Sequence, residues 1–363
     1  MRILIEALGI HNYGGGRTAT LNLLHNLLAI DPHNQYRVLL TRPEPGLLAR
    51  NLQQIILPVE NRFLARILAQ VILPIVSRGC DGIHFAKNLG LMTRKPSLVT
   101  LYDLTTLLHP ELVPRIDEWY WRRIQPLTLE KARRVIAISR ATARDAQTCF
   151  GLDPAKISVI YPSVGARFQP AIPQQIAETR RRYGIPREYV LHVGRMDRKN
   201  NIGVLISAFA QSHCRGALII VGQEYAKTPA RGLGELIKTL ELTGRVLFTG
   251  ALPDEALPAL YSGAQAVVMP SLHEGFGLVA AEAMACGAAL IAGRVSAVPE
   301  VTDGAALLVN EPDAPQIAEA LDALLENPAQ LAVLRQAAIE VGARYRNVND
   351  AQQTLALYEQ IAA

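Results

Sequence analysis

Two carboxylates separated by seven residues, Glu274 and Glu282, mark the part of this 363-residue chain best equipped for chemistry. They lie within PSLHEGFGLVAAEAMACG, residues 270–287. Met269 closes an apolar run that reads as a strand, and a loop with two glycines then enters a short helix that Gly287 can stop. The amides of Phe276, Gly277 and Leu278 fall at the start of that helix, where they can hydrogen-bond a phosphate. Glu282 stands in the otherwise apolar run Leu278–Ala285, and a carboxylate is costly to bury there unless it has a partner. A ribose diol, donating two hydroxyls, is one such partner. As alternatives, Glu282 is an exposed helix residue and Glu274 a carboxylate favoured by the helix dipole.

A second segment, VGRMDRKNN over residues 193–201, follows the apolar run Tyr189–Val193 and places Arg195, Arg198 and Lys199 within five residues. At the carboxyl end of a buried strand, arginines can grip phosphate oxygens in pairs while lysine supplies a point charge. A solvated, charged loop is the plainer reading. The third segment is Gly14-Gly15-Gly16-Arg17-Thr18-Ala19, formally a G-x-G-x-x-A run. It begins several residues after the strand ending at Glu6, too late for a tight dinucleotide turn, and Thr41 and Arg42 stand where a ribose-binding acid is expected. This disfavours an NADP oxidoreductase. It leaves a glycine loop at a helix N-terminus that offers amides to an anion, or a flexible connection. Asp254, in Pro253-Asp254-Glu255, suits a nucleotide base edge or, more cheaply, a helix cap.

These segments need elements to hold them. Apolar, β-branched runs are expected as strands at Arg2–Glu6, Arg37–Leu40, Gly82–Phe85, Ser97–Leu101, Arg134–Ile138 and Ile157–Ile160. A second series covers Tyr189–Val193, Ala217–Val221, Arg245–Thr249, Ala266–Met269, Ala289–Ala292 and Ala306–Val309. Continuous apolar strands alternating with helices indicate parallel sheets covered on both faces. Pro162–Gln175, with three prolines and a glycine, breaks the alternation and reads as a linker. The expected organisation is a first Rossmann-like domain over residues 1–165, a second over 166–350, and a helix at 351–363 that packs back across the boundary. A tandem pair of doubly wound sheets frames a cleft at the carboxyl ends of its strands.

Composition narrows the function classes. Half the residues are hydrophobic and 19% are charged, which excludes disorder and fibrous architectures. Four cysteines without a C-x-x-C pair argue against a disulfide framework or a zinc ribbon and for a reducing, cytoplasmic compartment. The apolar run at Ile67–Val76 is too short to cross a bilayer. Charge is uneven: residues 1–180 hold 22 Lys and Arg against 13 Asp and Glu, and the remainder 15 against 19. Basic residues do not form a stripe with interleaved aromatics, so nucleic acid is not an expected partner. Trp119-Tyr120-Trp121-Arg122-Arg123, with Arg62, Arg66 and Arg78 around apolar Phe63–Val76, reads either as contact with an anionic membrane surface or as a core helix with a basic edge.

The residues singled out above resemble retaining glycosyltransferase family 4 over nearly the whole chain. The glutamate pair inside P-S-x-x-E-G-F-G followed by E-A-M-A-C-G looks like that family's signature. Residues 193–201 are similar to its G-R-x-x-x-R-K-N segment, with one residue fewer before Arg198. Val298-Pro299-Glu300-Val301 with Asp303-Gly304, the glycine loop and Ala137-Ile138-Ser139-Arg140-Ala141-Thr142 resemble further family elements.

The resemblance implies a GT-B fold: two Rossmann-like doubly wound parallel-sheet domains facing a central cleft, with acceptor in the first and nucleotide sugar in the second. It implies that Arg195 and Lys199, helped by Arg198, bind the diphosphate and that Glu282 holds the ribose. Glu274 would contact the transferred sugar, with amides around Phe276, Gly277 and Leu278 helping. Gly15 and Gly16 would approach the diphosphate from the first domain. The implied activity is metal-independent, retaining transfer of a mannose- or glucose-type hexose from a GDP- or UDP-sugar. Its acceptor is a hydroxyl on a glycan, a lipid-linked molecule or a small molecule. No D-x-D triplet is present and no cofactor is expected beyond the donor.

Where the family commonly has His-Asp, this chain has Tyr102-Asp103. Tyrosine is neutral at pH 7 and cannot stand in for a titrating imidazole. Either Tyr102 positions a neighbour, or His84, His109 or His273 takes the space. Asp103 reads equally as a catalytic carboxylate or a turn residue. A nucleotide-sugar-binding protein without transfer activity is the second reading.

Overall fold

A computed structural model describes residues 1–11, 14–59, 61–86, 90–91, 93–113, 115–224 and 232–362, without the side chains of Arg62, Ile116, Asp117 and Tyr120. The chain starts with β1 (Arg2–Glu6), α1 (Gly15–Ile30), β2 (Gln35–Leu40), β3 (Leu52–Ile56), α2 (Arg62–Val76) and β4 (Gly82–Phe85). It continues through β5 (Ser97–Leu101), α3 (Thr105–Leu108), α4 (Arg115–Lys131), β6 (Arg134–Ala137), α5 (Arg140–Phe150) and β7 (Ile157–Val159). Then come α6 (Pro173–Tyr183), β8 (Tyr189–Val193), α7 (Ile202–Gln211), β9 (Ala217–Val221), α8 (Leu233–Thr239) and β10 (Val246–Gly250). The next elements are α9 (Leu257–Gly263), β11 (Ala266–Met269), α10 (Leu278–Ala285), β12 (Leu290–Gly293) and α11 (Val298–Thr302). Last are β13 (Leu307–Val309), α12 (Ala314–Leu325), α13 (Pro328–Ala343) and α14 (Asn349–Ala362).

The chain divides into two compact units, one of residues 1–163 with 348–363 and the other of residues 164–347. Among the described residues the first holds a seven-stranded sheet in the order β3-β2-β1-β4-β5-β6-β7. The second holds a six-stranded sheet in the order β10-β9-β8-β11-β12-β13. Every pairing is parallel. The apolar runs became strands because helices cover both faces of each sheet: β4, β5, β9, β11 and β12 are buried throughout. β3 was not anticipated. It is an edge strand, half-exposed, and its Gln53-Gln54 pair breaks the apolar pattern that a central strand would show.

In each sheet the strand order reverses once, between β1 and β4 in the first unit and between β8 and β11 in the second. Loops leaving neighbouring strands in opposite directions part at such a point and open a crevice at the carboxyl edge, where ligands of open α/β sheets bind. Gly222, just after β9, shows how tightly the second sheet's edge is built. Its φ is +149°, and an added Cβ would fall 1.7 Å from the carbonyl oxygen of Gly194, so only glycine fits.

The last helix belongs to the first unit. Ala351, Leu357, Tyr358 and Ile361 of α14 join the core formed by β1, β2 and α1. Burying Leu357 and Ile361 stabilises by about 1.5–3 kcal/mol each. The chain's return is fixed by polar contacts as well. The buried Asp350 carboxylate accepts from the Ser163 hydroxyl at 2.8 Å and from Asn26 Nδ2 at 3.0 Å. His84 on β4 meets the Tyr358 hydroxyl through Nδ1 and Thr100 Oγ1 through Nε2, each at 2.8 Å. Burial lowers the pKa of this imidazole to about 3, so it stays neutral. Among the described residues no helix is long and apolar enough to cross a membrane.

Candidate active site

The loops leaving β8 and β11 flank the second unit's reversal point, and between them they carry most of the candidate residues. The Leu272 amide donates to the Lys199 carbonyl at 2.9 Å, tying the two loops together. Lys199 Nζ then lies 3.6 Å from Glu274 Oε2, with both side chains largely shielded from solvent. A cation and a carboxylate 75 residues apart in the chain thus face each other. Arg195 is held by Asp197, its Nη2 2.9 Å from Oδ2. Asp197 is buried, and its Oδ1 accepts from the Asn200 amide at 3.0 Å, while Asn200 Nδ2 donates to the Arg195 carbonyl at 2.6 Å. Asp197 and Asn200 therefore shape the loop from which Arg195 projects. Arg198 is on the same loop, exposed.

Gly277 caps α10 in the left-handed region, at φ +88°, which glycine adopts without strain. No side chain caps this helix. Gly275, Phe276 and Gly277 are buried and Leu278 is half-buried. Phe276 is pinned edge-on against Tyr345, with ring centroids 5.3 Å apart. The Ala297 amide donates to the Glu274 carbonyl at 3.3 Å. His273 is buried behind this loop and meets the Ser296 hydroxyl through Nδ1 at 2.7 Å.

Glu282 is 5% exposed, which removes the reading as a surface helix residue. Its Oε2 accepts from the Tyr261 hydroxyl at 3.0 Å. Burial pushes its pKa up to about 8; the Tyr261 bond and Arg167 pull against that, and Asp254 adds to it. Asp254 does not cap α9, whose cap position is taken by Ala256. Its carboxylate instead faces Arg167 at 3.8 Å, and Glu255 faces the same guanidinium at 3.6 Å. Nothing in the sequence marks Tyr261 as the partner of Glu282, because a tyrosine on a short apolar helix reads as core.

The first unit's candidates sit at its own carboxyl edge. Gly14 takes the N-cap position of α1 at φ +129°, with no side-chain cap, and Gly15 and Gly16 form the helix's first turn. Thr20 Oγ1 donates to the Gly16 carbonyl at 2.7 Å and lies 2.6 Å from the Tyr102 hydroxyl. Thr20 has one proton and spends it on Gly16, so Tyr102 is the donor in the second bond. Burial pushes the phenol up to about 12. Tyr102 is thus a clamp between the end of β5 and the glycine-rich start of α1, not a proton acceptor near pH 7. Replacing Tyr102 with phenylalanine is expected to cost about 1 kcal/mol of stability, seen as a lower melting temperature. The pH profile of any activity between pH 6 and 8 should keep its shape.

Asp103 Oδ1 accepts from the Thr105 amide at 3.2 Å, a turn contact at the start of α3. Of the histidines proposed to take Tyr102's place, His84 spends both nitrogens on the core, His109 pairs with Glu111 at 3.2 Å, and His273 belongs to the second unit. Among the described residues no three His, Cys, Asp or Glu side chains gather as metal ligands.

Known proteins share this two-unit fold. The model for Glycosyltransferase Family 4 matches residues 13–167, and that for Glycosyl transferases group 1 matches residues 175–341. The chain is 28% identical to the serotype-specific mannosyltransferase WbdA of Escherichia coli over 263 residues, 69% of this chain and 32% of that one. It is 31% identical to the MMP alpha-(1->4)-mannosyltransferase of Mycolicibacterium hassiacum over 261 residues, 69% of this chain and 60% of that one. The aligned parts thus span between about a third and three fifths of these relatives. The Anabaena HepE structure in complex with UDP and glucose superposes with a TM-score of 0.81 at 22% identity, covering 99% of this chain and 100% of that one. With two Rossmann-like units, the first part of the chain matching Glycosyltransferase Family 4 and the second Glycosyl transferases group 1, the chain belongs to the GT-B glycosyltransferases.

Proposed function

We propose that the protein is a retaining hexosyltransferase that uses a nucleoside diphosphate sugar. The observation that carries this reading is the meeting of Lys199 with Glu274 at the second unit's reversal point. A cation suited to phosphate oxygens and a carboxylate suited to sugar hydroxyls stand side by side there. Arg195, braced by Asp197, adds a second cation with a geometry suited to phosphate. Arg198 extends the cationic loop. The Phe276, Gly277 and Leu278 amides open α10 toward an anion. Glu282 accepts hydrogen bonds from the ribose diol, and Asp254 faces the base.

In the reaction the bond between the anomeric carbon and the phosphate oxygen breaks, and the diphosphate leaves with the electron pair. Arg195 and Lys199 stabilise the charge that develops there, which allows transfer without a metal. The acceptor hydroxyl attacks the oxocarbenium-like carbon from the face the diphosphate is leaving, and a donor phosphate oxygen takes its proton. The first unit takes the acceptor at the carboxyl edge of its sheet, near Tyr102 and Asp103, and Gly15 and Gly16 offer amides to an anion. Mannose is the favoured hexose, since WbdA and the Mycolicibacterium relative are both named mannosyltransferases. HepE, bound to UDP and glucose, keeps the uridine and glucose alternative in view.

Melting curves with UDP, GDP and ADP, followed by assays with their sugars, test the proposal. One nucleotide at a hundred times its Kd should add about 2.7 kcal/mol of stability. Its sugar should release nucleoside diphosphate and give a product with the donor's anomeric configuration by NMR. Inversion of the anomeric centre would refute the retaining mechanism. Binding without release would instead favour a nucleotide-sugar-binding protein.

A further inference from the structure

In the first unit, α2 carries apolar residues on both of its sides. Ala65, Ala69 and Leu73 face the sheet and are buried. On the opposite side Phe63, Leu64, Ile67, Val71 and Ile75 are 38%, 48%, 63%, 62% and 59% exposed. A helix on a protein surface ordinarily turns polar residues outward, and here the exposed positions from 63 to 75 are all apolar. Nothing in α2's local sequence requires this, since the helix already satisfies its core with the other face. A stripe of this kind is a contact surface for something.

The surroundings select the partner. α2 and α4 contribute to the same core beneath one face of the sheet. They are linked by the Arg66 guanidinium, 5.5 Å from the Trp121 ring centre, and through Leu91, whose amide donates to Gln70 and whose carbonyl accepts from Lys131. On α4, Trp119 is 58% exposed and Arg122 and Arg123 are exposed. Arg78, just past α2, and Arg94 and Lys95, ahead of β5, are exposed as well. A second copy of the chain would set these cations against their own kind, which disfavours self-association. An exposed apolar stripe on α2, an exposed tryptophan on the linked helix α4 and exposed cations on α4 and the adjoining loops fit the boundary of a bilayer with anionic headgroups.

We propose that the exposed face of α2, with Trp119 and the arginines of α4, seats the protein on an anionic phospholipid bilayer. The helix lies along the surface with Ile67, Val71 and Ile75 entering the acyl boundary, while Arg78, Arg122 and Arg123 meet phosphate headgroups. This surface lies wholly in the first unit, so the proposal stands whether or not the second unit transfers a sugar.

The test is flotation of the full chain with phosphatidylcholine vesicles, with and without about 30% phosphatidylglycerol. Binding should be at least about tenfold stronger to the anionic vesicles and should weaken with salt. The triple variant Ile67→Ser, Val71→Ser, Ile75→Ser should lose that binding while keeping the wild-type melting temperature and nucleotide response, because all three side chains face outward. The pair Arg122→Glu, Arg123→Glu should lower binding to anionic vesicles alone. Failure to float with anionic vesicles overturns the proposal, as does undiminished binding by the triple variant. Self-association in sedimentation velocity that the triple variant abolishes, without vesicle binding, overturns it in favour of a second copy.

Discussion

Replacing Arg195 or Lys199 with alanine is expected to cut sugar transfer by about 10²- to 10³-fold, the scale on which loss of one charge-stabilising group acts in a water-poor site. The two differ in what they leave behind. Arg195 is one-third exposed and braced by Asp197, so its removal takes away a cation while Asp197 keeps the Asn200 amide. Lys199 is more enclosed, and its loss strands Glu274 without that cation. Lys199→Ala should therefore weaken both diphosphate and sugar contacts, whereas Arg195→Ala should act mainly through the diphosphate. Steady-state rates at saturating donor, set beside melting temperatures, separate lost chemistry from lost folding. Near-native transfer by both variants would remove the assignment.

Glu282→Gln should do two opposite things. The wild-type carboxyl has its pKa raised by burial from the ordinary value of 4.5 to about 8 in the folded protein, so the folded state binds its proton more tightly than the unfolded one. Stability from this group is fully present below about pH 4.5, declines as pH rises, and is gone above about pH 8. Glutamine has no such slope. The melting temperature of the variant relative to wild type should therefore climb between those limits and level off above them.

Donor binding should move the other way. A ribose diol donates best to the ionised carboxylate, so nucleotide affinity in the wild type should rise with pH toward 8 and then flatten. Glutamine offers one acceptor oxygen in place of two and should bind donor about tenfold more weakly or worse, the cost of a charge-assisted hydrogen bond. Calorimetry in buffers of different ionisation enthalpy reads this directly, because wild-type binding near pH 7 should release a proton and the variant's should not. An unchanged affinity in the variant would remove Glu282 from the ribose contact.

Much of the molecule is legible in its sequence. The central strands are apolar runs because parallel sheets bury both faces, and only the polar edge strand β3 escaped notice. Glu282 announced itself as a charge inside an apolar helix, and its burial follows the same logic. Other features were open. Asp254 read more cheaply as a helix cap than as a base contact, because a carboxylate before a helix signals a cap, but Ala256 takes the cap position and Asp254 faces Arg167. The basic, apolar α2 was equally a core helix or a surface contact, since a helix with two apolar sides has no polar face to say which side is covered.

The sequence carries the motifs by which it resembles its family, and the parallel sheets and charged loops follow from burial patterns that neighbours along the chain impose. Tertiary structure decided who faces whom. Lys199 meets Glu274 because β8 and β11 are neighbours in the sheet, Tyr261 meets Glu282 because α9 and α10 pack together, and Tyr102 spends its proton on Thr20 because β5 ends beside α1. These contacts join residues from 21 to 82 positions apart. Their partners are set by strand order and helix packing, which no local pattern encodes.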